Sequence, residues 1–563
     1  MIGISKLFII PSMAVLITAL TGFASSSSGQ STNPLDDSGL YLRSIPSPIP
    51  HPADLAWDGE ALWVADWESG NLIRINPENG DIITIIPAPC YRPRGLTWAE
   101  QKLYIVDDVE GMIHIFDPAS GITVGSYMTP SGTGLGLAWD GEALWLSDNG
   151  AQQLQCLIPH DGTTLTAFPS PEQEPGGLAY IDGYLWVAQR NHDRIYMVEP
   201  KSGAAITRFN SPGPYPSGIA PAPDGRLWIA DFEDGLIWLC APREARPYQT
   251  SDWRDAEIRL TYRLENLGPG MVQDAVVHFA FPEPELENQL LLSDPVFTTP
   301  SPEIHFDQWG EKMATFRSDR IPPGERFEAG YTAQARIANL NYIIIPEKVG
   351  PLSDIPREIR EAYTADGERL QVQSELVQKT AAGIVGDESN PYWIARRIFN
   401  WVIDTLEYER VGGWDVPETL IKRGTGSCSE YTFLYIALCR AAGLPARYEA
   451  GASLRGDDVS VDDVHHRWAE VYLPNYGWIP IDPSGGDQAT PGGQVDAIGR
   501  LSNRYFITTH NGGGSDILSW NYNFHAVHSR KGRCAVTEDE WVVWRRAKEE
   551  GESILPGGAY CKP

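Results

Sequence analysis

The stretch LAWDGEALWVAD, Leu55–Asp66, returns along the first half of the chain with a period of 41 residues. Leu55 has counterparts at Leu96, Leu137, Leu178 and Ile219, preceded by Gly95, Gly136, Gly177 and Gly218, with Asp54 in the first copy. Eight residues after each leading position, or nine in the last copy, stands an aromatic: Trp63, Tyr104, Trp145, Trp186 and Trp228. Three further on come Asp66, Asp107, Asp148, Gln189 and Asp231. Between these marks the copies alternate apolar and polar residues in short runs broken by turn formers, as in LIRINPENGDIITII (72–86) and MIHIFDPASGITVGSY (112–127). Period-two alternation signals strands, and four short strands per roughly 40 residues is the pattern of a propeller blade. Five copies predict five blades.

The ends of the ring are also legible. Outer strands are marked by Ile86, Tyr127, Phe168 and Phe209, and one period before Ile86 stands Ile45 in YLRSIPSPIP, whereas the fifth copy ends near Cys240 without such a strand. The N-terminal strand around Ile45 is expected to complete the last blade and so remove two free edges. The copies resemble the NHL and SMP-30-like propeller families, a likeness that bears on fold and not on ligand. Nine of the 19 Trp fall in these repeats; the periodic ones are expected to pack the blades, and Trp67 and Trp238, which break the period, are weak candidates for a binding rim.

Upstream, Met1 to Ala24 has one early cation, Lys6, an apolar run from Leu7 to Leu20, and the small-residue site Gly22-Phe23-Ala24. A run of 14 suits a secretory h-region and falls short of the roughly 18 residues of a membrane span. Residues 1–24 are read as a signal peptide and 25–38 as a flexible spacer, so the chain is expected to be secreted or periplasmic, with no membrane span after cleavage. The whole chain has 563 residues and a formal charge of −30 from 44 Lys+Arg and 74 Asp+Glu. Such a charge repels phosphate backbones, and no nucleic acid partner is expected. Seven Cys are too few for a disulfide scaffold, and an odd count leaves at least one thiol unpaired within the chain.

Downstream, alternating runs such as IRLTYRLEN, DAVVHFAFP, MATFRS and ERFEAGYTAQARI predict an immunoglobulin-like β-sandwich over residues 250–348. After Pro351 the period becomes helical, in IPREIREAYT, LQVQSELVQKTAAGIV and NPYWIARRIFNWVIDTLEY. The next segment, GTGSCSEYTFLYIALCRAAGLPARYEAG (424–451), puts Cys428 at the head of a helix. Unsatisfied N–H groups and the positive end of the helix dipole favour a thiolate there and a developing oxyanion beside it. Cys439, on nearly the same helical face, is read as core. A thiolate nucleophile needs an imidazole, and the imidazole a carboxylate. Both stand in HRWAEVYLPNYGWIPIDP, where a hairpin turning at Pro474-Asn475-Tyr476-Gly477 brings Asp482 near His466.

These segments resemble the transglutaminase-like superfamily, whose core is a papain-like fold with a Cys-His-Asp triad. The likeness implies Cys428 as nucleophile, His466 as general base and acid, and Asp482 as the orienting carboxylate. The family spacing of His, Trp and Glu fits His466, Trp468 and Glu470, which share one face of a strand, whereas His465 faces away. Trp468 is a weak binding candidate. The family's bulky side chain at the oxyanion site has a candidate in Trp414, whose indole N–H is a donor.

The expected fold is therefore multidomain, mainly β then α+β: a five-bladed β-propeller (39–245), the sandwich (250–348), a papain-like transglutaminase core (352–510) and a C-terminal tail (511–563). In the tail, Thr537 with Glu540 three later reads as a helix cap, and Cys534 and Cys561 are a candidate disulfide pair in an exported chain. No cofactor or metal is expected; for the acidic stretch 456–463 a solvated loop is favoured over calcium. The expected function is an exported cysteine enzyme that acts on protein or peptide amide bonds through a thioester. Hydrolysis is favoured over transfer to a Lys amine, and the propeller serves as a targeting module for the substrate or a cell-envelope component. The rival is a non-catalytic scaffold whose propeller is the working part.

Overall fold

The computed structural model describes residues 38–298, 302–410 and 414–547; the expected signal peptide and Cys561 lie outside them. Strands hold 50% of the chain and helices 13%. The 41-residue repeat forms four antiparallel four-stranded sheets within 55–87, 93–128, 134–169 and 175–210. The fifth sheet joins the three strands of 216–240 to Tyr41–Pro46, with Ile45 opposite Ile237. Closure by the N-terminal strand thus occurs as the repeat register requires.

The repeat glycine within the innermost strand of the second to fifth blades is a consequence of crowding at the axis. A Cβ on Gly218 would lie 2.5 Å from the Asp54 Cα, and one on Gly95 1.9 Å from the Leu135 carbonyl oxygen. Asp54 occupies the first copy because its carboxylate accepts from the backbone N–H of Leu55, Leu96 and Ile219, tying three blades together. The periodic aromatics are core, and Trp63 and Trp145 donate their indole N–H to Asp58 and Asp140. Trp238 does not form a rim. It is 6% exposed within the core shared with the α+β part, because the strand Leu236–Cys240 is covered by the closing strand. Trp67 is half-buried beneath the Arg94 guanidinium, 5.5 Å from its ring.

The sandwich is built from Tyr248–Ala280, Lys312–Ile321 and Arg326–Tyr342, and it has a strand that the sequence pattern does not announce, Phe524–Arg546. This segment pairs along Ala256–Phe279, with Thr537 opposite Glu265 and Glu540 opposite Tyr262. The helix expected at Thr537 is therefore absent, because long-range strand pairing overrides a local capping signal. The same strand pairs with Val459–Asp462, so the stretch 456–463 is not simply a solvated loop. Asp457 pairs with Arg504 and Asp462 turns inward, so the carboxylates there do not converge on one point.

The α+β part that follows places the helices Glu375–Val385, Pro391–Thr405 and Cys428–Ala441 against a sheet of Gly477–Ile481, His466–Leu473, Ala446–Ser453 and Tyr505–Asn511, in that order. Asn390 caps the second helix by accepting from Tyr392 N. The propeller meets this part through the fourth blade. Its outer strand Ala205–Asn210 is buried, while the outer strands of the first three blades are mostly exposed. Arg396 donates to the Ala205 carbonyl at 2.9 Å, Tyr392 to Ile206 at 3.2 Å, and Arg208 pairs with Asp496 at 2.5 Å. Among the described residues no helix is long and apolar enough to cross a membrane.

Candidate active site

Cys428 begins its helix because Ser427 stands in extended backbone immediately before it, and Glu430 accepts from Ser427 N at 2.8 Å. Glu430 is buried; it also accepts from Asp415 N and pairs with Arg423, which fastens the segment after Trp414 to the helix head. The first turn thus keeps its N–H groups beside the thiol.

The sheet supplies the other two groups. The imidazole of His466 donates from Nε2 to Asp482 Oδ2 at 2.7 Å, and the Cys428 thiol lies close enough to the imidazole for each to shift the other's ionisation. Asp482 is held in turn by Ser484 Oγ and Gly485 N, each 2.9 Å from Oδ1. Glycine is needed at 485, since a Cβ there would lie 2.5 Å from Asp482 Oδ2. His465 points elsewhere, to Asp462 Oδ2 at 3.2 Å, as its place on the opposite face requires.

The electrostatics favour an ion pair. Burial pushes the Cys428 thiol up, but the hydrogen bond and charge of His466, followed by the backbone and guanidinium of Arg467, outweigh it and leave the thiol below its ordinary value. Burial pulls His466 down, and the charge and hydrogen bond of Asp482 with the Cys428 contact overcome that, so it lies well above the usual imidazole range. Asp482 is lowered: His466 and the Gly485 and Ser484 donors override desolvation. All three directions agree with a thiolate, an imidazolium and a carboxylate in series.

The tryptophans divide by environment. Trp468 is 1% exposed, so it is a support behind His466 and not a surface for substrate. Its ring lies 5.7 Å from the His466 ring, and Tyr505 packs against both, 5.5 Å from His466 and 5.0 Å from Trp468. Trp414 is half-buried near the helix head, its ring 5.1 Å from the Arg467 guanidinium and its carbonyl accepting from Arg369. Among the described residues its indole N–H has no protein acceptor, so it remains available as a donor.

Several partners lie outside the motif spacing. Arg467 is fully buried, and its guanidinium lies 4.3 to 5.1 Å from the rings of Tyr522, Tyr448, Phe433 and Trp414. Its side chain is adjacent in sequence to His466 and opposite in face, a position that alternation flags only as inward. Tyr505 and Glu449 come from other strands of the sheet, and nothing local in the sequence marks them.

Among the described residues two groups have a metal-ligating composition: Asp107 with Glu110 and His114, and Glu449 with Glu470 and His510. The second already has partners, since Arg447 pairs with Glu470 at 2.6 Å and Glu449 accepts from Trp468 while sharing a hydrogen bond with His510 at 2.6 Å. A cavity of about 810 Å³ between this group and Glu283 and Glu287 is not lined by Cys428, His466 or Asp482. The candidate site itself brings together a thiol, an imidazole, a carboxylate and the N–H groups of a helix head.

Residues 378–483 match the transglutaminase-like superfamily. An uncharacterised protein of Haemophilus influenzae is 30% identical over 131 residues, covering 19% of this chain and 35% of its own length. A protein-glutamine gamma-glutamyltransferase of Pseudomonas aeruginosa is 32% identical over 88 residues, 14% of this chain and 13% of its own. The chain therefore spans about a third or less of the length of these relatives. Among solved structures, a candidate cysteine protease of Cytophaga hutchinsonii aligns at 18% identity over 56% of this chain and 96% of that one, with a TM-score of 0.36.

Proposed function

We propose that this chain, a propeller followed by a transglutaminase-like domain, is an exported cysteine enzyme that cleaves or exchanges amide bonds of peptides or proteins. The observation that carries the proposal is the continuous series Cys428, His466, Asp482 at the head of a helix, with each group shifted toward its charged form.

In the first half-reaction the Cys428 thiolate adds to the amide carbonyl, and helix-head N–H groups, with Trp414 as a candidate, receive the oxyanion. Collapse of the tetrahedral species breaks the C–N bond as His466 gives its proton to the departing amine or ammonia, leaving a thioester. In the second, neutral His466 takes a proton from water or from a primary amine, which displaces the thiolate. Water gives a peptidase or amidase, and a Lys amine gives a cross-linking enzyme. We favour hydrolysis over transfer. The propeller is assigned the targeting of the substrate or of a cell-envelope component.

The test compares the protein with Cys428→Ala on casein and a peptide panel, with and without a labelled primary amine. New fragments or ammonia signify hydrolysis and label incorporation signifies transfer; equal behaviour of the two proteins would refute the enzymatic reading and leave the propeller as the working part.

A further inference from the structure

The propeller axis has a second concentration of charge that amide chemistry leaves without a task. Where the inner strands converge they leave a neck of about 10 Å³, lined in part by Asp54, Arg94, Arg190, Tyr215, Ser217 and Phe232. Arg190 is 9% exposed, and among the described residues it has neither a carboxylate partner nor a hydrogen-bond acceptor. Its Nε is sealed from solvent unpaired, and its guanidinium lies 5.6 Å from the Tyr215 ring.

Arg94 shares the neck. Burial holds its guanidinium below the usual value, and the neighbouring charge of Arg190 adds to that, against the pull of Asp108 at 3.6 Å. Asp108 is itself gripped by Arg92 at 2.6 and 3.1 Å. Asp54, the other carboxylate of the neck, is engaged by three backbone N–H groups. Two largely buried guanidiniums therefore face one space, and of the two only Arg94 has a carboxylate partner, which it shares with Arg92, in a chain whose formal charge is −30. Buried charge without a partner is costly, and an anion placed between the two removes that cost.

The shape of the neck narrows the ligand class. About 10 Å³ has room for one oxygen-sized group, which suits an oxygen of a carboxylate and is too small for a sugar ring. Outside it, His51, Phe232 and Tyr215 form a run of rings with centroids 4.8 and 5.3 Å apart, a platform for the body of a peptide. In the loop that precedes the fourth inner strand the Pro171 carbonyl accepts from Gly492 N at 2.9 Å, so the propeller touches the segment that follows Asp482.

We propose that this neck binds a carboxylate of the peptide or protein on which the catalytic part acts, with Arg190 as the anion-binding donor. That the ligand is the substrate rests on the proposed function; that it is a carboxylate does not.

The Cys428→Ala protein, which cannot turn over, is titrated by fluorescence polarisation against a dye-labelled ten-residue peptide of Ala, Ser and Gly bearing a free C-terminal carboxylate, and against its C-terminal amide. The acid is expected to bind about tenfold or more tighter than the amide, Arg190→Gln is expected to abolish that preference, and Arg190→Lys to retain part of it. Sodium acetate is expected to compete at higher concentration. Equal binding of acid and amide, or an unchanged preference in Arg190→Gln, overturns the proposal. Acetate binding as tight as the peptide's overturns its peptide part. Should Arg190→Gln fail to fold by circular dichroism, the acid and amide comparison in the parent and Arg190→Lys decides. Because binding is read without turnover, its failure is separable from failure of the labelled-amine and casein assay.

Discussion

Trp468 Nε1 donates to Glu449 Oε2 at 2.5 Å across adjacent strands on which the two residues stand opposite in register, and the indole so fixed backs the His466 imidazole. Burial pushes the Glu449 carboxyl up to about 7, against the charge of Arg447 and the Trp468 hydrogen bond. An acid whose folded pKa lies above its unfolded value of about 4.3 binds more protons when folded. Its contribution to stability therefore falls as pH rises from about 4 to about 7. Glu449→Gln keeps an acceptor for Trp468 and removes the titration, so between pH 5 and pH 8 the parent is expected to lose more Tm than the variant. Parallel Tm profiles would contradict this assignment.

The thiolate of Cys428 is expected to persist below the ordinary thiol range near pH 8.5. Site-resolved alkylation by iodoacetamide, read by mass spectrometry, should therefore remain fast at Cys428 near pH 6, whereas Cys90 and Cys156, raised by burial, react slowly there. In His466→Asn burial acts on the thiol without its main counterweight, and the rate near pH 6 should fall by about tenfold or more. Asp482→Asn should fall between the two, since it removes the charge that keeps His466 protonated. A parent profile with its midpoint at or above pH 8.5 would rule out the ion pair.

Arg467 has Nε and Nη1 buried without acceptors, and the only hydrogen bond of its side chain among the described residues is from Nη2 to the Trp520 carbonyl at 2.6 Å. Among the groups that act on this guanidinium are Cys428, Tyr448 and Tyr522, and of these only the thiol ionises near neutral pH. Replacing a buried charge by an apolar side chain of similar volume is often neutral or stabilising. Arg467→Met is thus expected to keep or raise Tm while moving the Cys428 alkylation profile to higher pH, with Arg467→Lys nearer the parent. A lowered Tm with an unmoved profile would make the residue purely structural.

What the sequence made legible follows from where each signal is stored. The propeller is periodic, so its inner glycines and buried aromatics repeat at one spacing that steric crowding at the axis enforces. His466 and Asp482 fall within one hairpin, and the helix head that presents Cys428 is a local feature, so their meeting is foreseeable from turn geometry. Trp468 and Trp238 were assigned to binding surfaces and lie in cores, because what covers an aromatic is decided by strands distant in sequence. Arg467, Glu449 and Tyr505 escape for a related reason: their roles arise from the face and register on which separate strands meet. The strand Phe524–Arg546 is the extreme case, since its partner lies more than 240 residues earlier and its own Thr537 and Glu540 mimic a helix cap.

That strand supports the last prediction. Trp544 is 1% exposed, donates to the Arg455 carbonyl at 2.8 Å and the Ser460 hydroxyl at 2.7 Å, and lies under the Arg254 guanidinium at 4.5 Å. Trp544→Ala removes a large core side chain and is expected to cost about 3–5 kcal/mol. Val527, half-exposed on the same strand, should tolerate Val527→Thr within about 0.5 kcal/mol. The effect of the first change should extend beyond stability. Ser460 belongs to the short strand that ends at Asp462, and Asp462 accepts from Ser453 N and holds His465, the residue before His466. Loosening it should slow Cys428 alkylation near pH 6 under conditions where the variant remains folded. Urea unfolding and the alkylation profile test both claims, and a Trp544→Ala protein as stable as Val527→Thr would place the C-terminal segment outside the sandwich.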